Sequence, residues 1–168
     1  MIASEMADGT ASMAPTPIHM VRDGILADTQ RLQACYARFM RTKPQTAIRV
    51  LFVEDDSATR AGYTMFLASF GYQVMPAATG QEALTLASTC APDVIVLDLG
   101  LPDIDGWEVA RQLKAGSLTA TIPIVALTGA DLPHERVNAM GCDRYLTKPC
   151  SPADVADAIR RCTEVGTS

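Results

Sequence analysis

Four stretches of the chain place ionisable or hydroxyl side chains directly after short apolar runs. Glu54-Asp55-Asp56 follow residues 48–53, Asp98 follows 94–97, Thr128 follows 122–127, and Lys148-Pro149 follow 144–147. Three carboxylates brought into one cleft repel one another, and proton uptake or cations must offset the repulsion. Magnesium suits such a set, because it is a hard ion that takes a few carboxylates and a carbonyl, keeps several waters and recruits phosphate oxygens. Lys148 would add a fixed positive charge and Thr128 a hydroxyl donor. Phosphoryl transfer asks a protein mainly for positioning and for neutralisation of charge on the equatorial oxygens, which this set can supply around a carboxylate nucleophile. Acids at helix starts are common in their own right, since they suit the helix dipole. Asp98 is harder to account for that way, because Val94-Ile-Val-Leu97 puts it at the edge of a buried strand.

The convergence depends on the elements that carry these residues. Residues 48–53 (IRVLFV) form a branched, apolar run suited to a central strand. Helical spacing follows from Ser57 to Phe70 and stops at Gly71. A second strand spans 73–77, and Thr79-Gly-Gln-Glu82 has the form of a capping box that opens a helix running to about Cys90. Strand three covers 94–97. Asp105 and Glu108 mark the start of a helix through Ala115. Strand four covers 122–127, a short helix 133–140 closes at Gly141, and strand five covers 144–147. A last helix begins at Ser151, with Pro152 in its first position and Arg160 and Arg161 at its end. Five strands alternating with five helices predict an α/β doubly wound parallel sheet, because successive parallel strands need crossovers. Ligands of such sheets bind beyond the carboxyl ends of the strands, where the strand order reverses.

Composition narrows the classes further. The chain has 168 residues, 48% of them apolar and 20% charged, as expected for one globular domain with an extension. From Ile48 onward there are nine Lys/Arg against fifteen Asp/Glu, so this part is acidic and a poor ligand for nucleic acid. Five cysteines (Cys35, Cys90, Cys142, Cys150, Cys162) form no C-x-x-C pair and no zinc spacing, and are read as reduced thiols. No stretch reads as a spanning helix or a signal peptide, so a cytoplasmic chain without membrane contact is expected. No phosphate-binding G-x-x-x-x-G-K-[ST] loop occurs. His19 and His134 are isolated in the sequence and read as surface residues, and Trp107 is expected to pack at a helix start.

Residues 1–19 read as a disordered leader, and 20–47 as an amphipathic helix with a linker. Ile25, Leu32 and Phe39 recur at steps of seven. This helix either supports a homodimer or docks elsewhere, or it lies on its own domain; Asp28 interrupts its apolar seam.

Residues 48–165 resemble the receiver domain of two-component response regulators. The resemblance rests on Val53-Glu-Asp-Asp56, Val94-Ile-Val-Leu-Asp-Leu-Gly-Leu-Pro-Asp-Ile-Asp-Gly106, Ala126-Leu-Thr128 and Tyr145-Leu-Thr-Lys-Pro149. It implies a flavodoxin-like (βα)5 fold with strand order 2-1-3-4-5, for which a chemotaxis member of the family is itself a standard example. It further implies that Asp98 is the phosphoacceptor and that Glu54, Asp55, Asp98 and the Gly100 carbonyl hold Mg2+. Thr128 and Lys148 would contact the phosphoryl group, Tyr145 would be the switch aromatic moving with Thr128, and Lys148-Pro149 would be a cis bond. Asp56 falls outside the pair as a helix-start acid. The implied partners are a histidine kinase or histidine phosphotransfer protein and a downstream protein target. A receiver is a phosphoacceptor that catalyses only its own phosphorylation and dephosphorylation.

Two features depart from the family pattern. The segment 129–142 is about two residues short, which bears on output. The chain also ends soon after Thr163, so output is expected through protein contacts or a phosphorelay rather than an output domain, or else the chain is a receiver fragment of a hybrid kinase. Gly100 and Ala130 flank the path of hydrolytic water in such domains, and neither orients nor excludes it, which implies unassisted hydrolysis at an intermediate rate. A haloacid-dehalogenase-type phosphatase uses similar residues, but its nucleophile lies in an early D-x-D motif, and Asp98-Leu-Gly100 lacks the second aspartate.

Overall fold

The computed structural model describes residues 47–129, 139 and 141–164. The expected leader, the helix and linker of 20–47, the helix of 133–140 and Ala130 lie outside the described residues, apart from Ala47 and Ala139. Five strands, β1 (Arg49–Val53), β2 (Gln73–Ala77), β3 (Val94–Asp98), β4 (Ile124–Thr128) and β5 (Arg144–Thr147), pair in parallel in the order β2-β1-β3-β4-β5. This is the doubly wound, flavodoxin-like sheet expected from the alternation of elements. Between them run α1 (Ser57–Ser69), α2 (Gly80–Cys90) and α3 (Gly106–Ala115), and α4 (Pro152–Glu164) closes the described chain.

Strand periodicity divides the core between the two faces of the sheet. Val50, Phe52, Val94, Val96, Val125 and Leu127 form one buried cluster with Leu67 of α1 and Val155, Ala158 and Ile159 of α4. The alternate residues Leu51, Val53, Ile95, Leu97, Ile124 and Ala126 are also fully buried, and they point to the opposite face. There α2 and α3 present Ala83, Ala87, Val109, Ala110 and Leu113. Because β3 and β4 are buried at every position, their sequences show no polar alternation.

The helix starts follow their sequence signals, with local differences. Asp56 accepts a hydrogen bond from the Thr59 N–H at 2.7 Å, which makes it the N-cap of α1. Hydrogen bonds from Thr59, its side chain foremost and then its amide, hold the Asp56 carboxyl below its ordinary pKa. The Thr79 hydroxyl caps Glu82 N–H at 3.1 Å, but the Glu82 carboxylate reaches back to the N–H of Ala78 rather than to that of Thr79. Glu108 does not reach back at all, because Arg111 and Gln112 on its own helix engage it. Ser151 and Asp154 form a reciprocal box at the start of α4: each backbone N–H donates to the other's side chain. Near the end of α4, Arg160 pairs with Asp157 and Glu164, and Arg161 with Asp157. Strand four begins at Ile124 rather than 122, since Ile122 N–H is used in a turn to the Thr119 carbonyl.

The amino ends of the strands are held by two equivalent devices. Asp93, just before β3, accepts from the Arg49 N–H of β1 at 2.7 Å and pairs with the Arg49 guanidinium, which also caps the Cys90 carbonyl. Asp143, just before β5, accepts from the Ile124 N–H of β4 at 2.9 Å and pairs with Lys114 of α3. Each aspartate satisfies the first donor of a neighbouring strand.

At the carboxyl end, the chain after Asp98 turns back to begin α3 beneath itself. A Cβ on Gly106 would lie 2.5 Å from the Leu99 Cα and 2.6 Å from the Asp98 carbonyl oxygen, so only glycine allows this approach. Gly62, in the middle of α1, has nothing within 4 Å of the same position. Gly106→Ala should therefore destabilise the domain by about 1–3 kcal/mol through overpacking against backbone. Gly62→Ala should stabilise it by about 0.5–1 kcal/mol, because alanine loses less backbone entropy in a helix. Urea midpoints of the two variants moving in the same direction would refute this account of the glycines.

Candidate phosphoryl-acceptor site

The sheet order brings the acidic residues together. The chain passes from β1 outward to β2 and then returns to β3 on the other side of β1, so the strand order reverses between β1 and β3. Val53 pairs with Leu97, so Glu54 and Asp98, the residues that follow, sit side by side at this crevice. Adjacent strands are about 4.8 Å apart, which leaves two carboxylates little room to avoid each other. Glu54 and Asp98 are 3% and 6% exposed, while Asp55 is exposed. One carboxylate oxygen from each of Glu54, Asp55 and Asp98 lies within 4.8 Å of the other two.

Lys148 neutralises the buried pair. Its Nζ donates to Glu54 Oε2 and to Asp98 Oδ2, both at 2.7 Å. Burial pushes the Glu54 carboxyl above its ordinary pKa; the Lys148 hydrogen bond opposes the rise and the charge of Asp98 adds to it. Burial alone would lower the Lys148 ammonium, but the hydrogen bonds and charges of Asp98 and Glu54 outweigh it and raise the pKa. The lysine is thus charged. Asp98 Oδ1, the oxygen not bound to Lys148, accepts from the Gly100 N–H at 2.9 Å.

Thr128 ends β4 as a buried residue beside these groups, and its carbonyl accepts from Lys148 N–H at 2.7 Å. Tyr145 lies in β5 opposite Ala126, half-buried. The Lys148-Pro149 peptide bond is cis. The structure therefore brings Glu54, Asp55, Asp98, Gly100, Thr128 and Lys148 to one end of the sheet, with Tyr145 two residues inside the fifth strand.

Four supporting residues carried no chemical signal of their own in the sequence. Arg60 Nη1 donates to the carbonyls of Glu54 and Asp55, at 2.7 and 3.0 Å, and braces the turn that presents both carboxylates. Asp103 accepts from the N–H groups of Gly80 and Gln81, tying the loop after Asp98 to the start of α2. Burial works against the Asp103 carboxylate, but these backbone hydrogen bonds prevail and lower its pKa. Tyr63 donates to the Cys150 carbonyl at 2.6 Å, and Gly106 permits the close turn below Asp98. Asp103 and Gly106 fell within a quoted motif, which gave neither of them a role. Arg60 and Tyr63 looked like ordinary members of an amphipathic helix.

Comparison with known proteins agrees with this arrangement. Residues 50–160 match the family model of the response regulator receiver domain. The response regulator MprA of Mycolicibacterium vanbaalenii is 43% identical over 115 residues, covering 67% of this chain and 49% of that protein. The alkaline phosphatase synthesis transcriptional regulatory protein PhoP of Bacillus subtilis is 39% identical over 122 residues, covering 70% of this chain and 50% of that protein. The chain thus spans about half the length of the curated relatives it matches. Among solved structures, the chemotaxis response regulator CheY4 of Vibrio cholerae superposes with a TM-score of 0.66 at 31% identity, covering 70% of this chain and 99% of that one. The receiver domain of sensor histidine kinase PA1611 from Pseudomonas aeruginosa, solved with a magnesium ion in its active-site cleft, gives 0.65 at 30% identity over 71% and 99%. With the sheet order, the crevice and these relatives in agreement, the chain belongs to the response-regulator receiver domain family, whose members act in phosphorylation-dependent signalling.

Proposed function

We propose that this receiver accepts a phosphoryl group on Asp98 in a magnesium-dependent reaction, from a histidine kinase or a histidine phosphotransfer protein. The observation that carries the reading is the Lys148 ammonium held at 2.7 Å from both Glu54 and Asp98, with the Asp55 carboxylate beside them. An Asp98 oxygen would attack the donor's phosphorus, the bond from phosphorus to the donor would break, and the donor would leave with the bonding pair. The product is an acyl phosphate. Lys148, already hydrogen-bonded to Asp98, would pair with the oxygens of the arriving group, and the Thr128 hydroxyl would donate to them.

Receiver domains bind Mg2+ at an acidic pocket, and the donor set fits a small hard cation: three carboxylates with oxygens within 4.8 Å, one of them exposed to solvent. Glu54, Asp55, Asp98 and the Gly100 carbonyl would hold it. When bound, the ion supplies positive charge to the phosphoryl oxygens. Tyr145, half-buried beside the end of β4, is assigned the switch role, moving inward as Thr128 is drawn to the phosphoryl group. The segment 20–41 remains the candidate for a homodimer contact, and output is assigned to protein contacts or onward relay. A dehalogenase-type phosphatase is not favoured, since Gly100 offers no side chain to act as its general acid.

Acetyl phosphate with magnesium should add one labile phosphoryl group to the wild type and none to Asp98→Asn, read by intact mass. Equal labelling of the two would refute the assignment of Asp98. Millimolar magnesium should raise the melting temperature at low ionic strength, because the metal binds the folded state. Asp55→Ala should melt higher than wild type without metal, having lost one repelling charge, and should no longer respond to magnesium; a retained response refutes its role as a ligand. A side chain at Gly100 would meet Asp98 only at ordinary contact distance, 3.6 Å. Gly100→Asn should therefore fold, and should change the rate of phosphate loss by placing an amide beside the acyl phosphate. An unchanged rate would refute the open-site account of hydrolysis.

A further inference from the structure

Lys148 has a long way to reach. It follows β5, two strands from β3 and three from β1, so its backbone stands roughly 10 and 14 Å from the strand ends that carry Asp98 and Glu54. Its Nζ nevertheless touches both carboxylates at 2.7 Å. The lysine side chain, the hydrogen bond and the carboxylate side chain together must cover each gap, so the longer path to Glu54 has the least slack. A small shift of the backbone after β5 would take the ammonium off Glu54, the more distant of the two.

The backbone on the amino side of Lys148 is held by the β4–β5 ladder and by Lys148 N–H to the Thr128 carbonyl. On the carboxyl side, Ser151 and Asp154 lock the start of α4 to itself, which does not relate the loop to β1. The hydroxyl of Tyr63 makes that connection. It donates to the Cys150 carbonyl at 2.6 Å and lies 3.6 Å from the Cys150 Sγ, across 87 positions of sequence. The phenol ring is itself stacked on Phe52 of β1, with centroids 5.1 Å apart and planes inclined by 20°. Phe52 is fully buried and lies two residues before Glu54. Three residues earlier on α1, Arg60 grips the carbonyls of Glu54 and Asp55. One helix thus holds the acidic turn with Arg60 and the lysine loop with Tyr63, a single turn apart.

Resting on the assignment of Lys148 made above, we propose that Tyr63 is a positioning residue for phosphoryl transfer: its hydroxyl, bonded to the Cys150 carbonyl, sets the distance of Lys148 from Asp98 and Glu54. Burial and the contact with Cys150 raise the phenol pKa, so the hydroxyl keeps its proton and stays a donor. Tyr63 touches none of the reacting atoms and acts through the backbone of residues 148–150.

The test is Tyr63→Phe, which keeps the ring on Phe52 and removes only the hydroxyl. The maximal rate of Asp98 phosphorylation by acetyl phosphate should fall about ten-fold, the worth of one well-formed hydrogen bond, with half-saturating magnesium within about two-fold of wild type. General loosening would instead weaken magnesium binding along with the rate, and that result overturns the proposal. In a Lys148→Ala background, Tyr63→Phe should cost nothing more, whereas the same ten-fold loss there would show that Tyr63 acts on something other than Lys148. A direct readout needs no phosphorylation. Acylation of Lys148 by a succinimidyl ester, followed by peptide mass spectrometry, should become several-fold faster in Tyr63→Phe relative to Lys114. Equal acceleration at both lysines, or none at Lys148, overturns the proposal. A wild type that takes no phosphoryl group would count against Asp98 alone, and the acylation result would still decide the role of Tyr63.

Discussion

Two carboxylates buried side by side, Glu54 and Asp98, share one ammonium, and much of the architecture around the crevice serves to make that possible. Without a cation between them, neighbouring buried anions would have to take up protons. With Lys148 in place they stay close and hydrogen-bonded while Asp55 remains open to solvent. The site is consequently charged, mostly dry on one side and accessible on the other. The proposed reaction, attack of a carboxylate on phosphorus beside a hydrated ion, would need those properties together.

This concentration of charge is supported by fixed backbone rather than by further side-chain chemistry. Arg60 holds the carbonyls of Glu54 and Asp55, the Gly100 N–H holds one oxygen of Asp98, and Asp103 ties the following loop to the start of α2. Gly106 lets α3 begin directly beneath Asp98, where a single methyl group would collide with main-chain atoms. Each of these contacts removes a way for a loop to relax under electrostatic repulsion. The opposite edge of the sheet uses the same residue type for another purpose. Asp93 and Asp143 stand before strands, satisfy the first N–H of a neighbouring strand and are paired with Arg49 and Lys114. An aspartate at the amino edge therefore closes the ladder, and one at the carboxyl edge meets the crevice.

The elements and the candidate residues at the strand ends were legible in the sequence because each depends on local pattern. Short, branched apolar runs such as Val94-Ile-Val-Leu97 suit buried strands between helices, Thr79 and Asp56 announce helix starts, and the alternation of elements implies a parallel sheet with its ligands at the carboxyl ends. Glu54, Asp55, Asp98, Thr128 and Lys148 stand out because each interrupts or ends such a run. What the tertiary structure decided was how these residues meet. That Lys148 bridges Glu54 and Asp98 and that Tyr63 binds Cys150 are contacts between segments 50 to 94 positions apart, whose distances depend on strand spacing, twist and loop path. Arg60 and Tyr63 carry no periodicity that separates them from any other residue on the inner side of an amphipathic helix. Hydrophobic patterning specifies which face of an element is buried, and it is silent about the backbone carbonyl that a polar tip on that face will find.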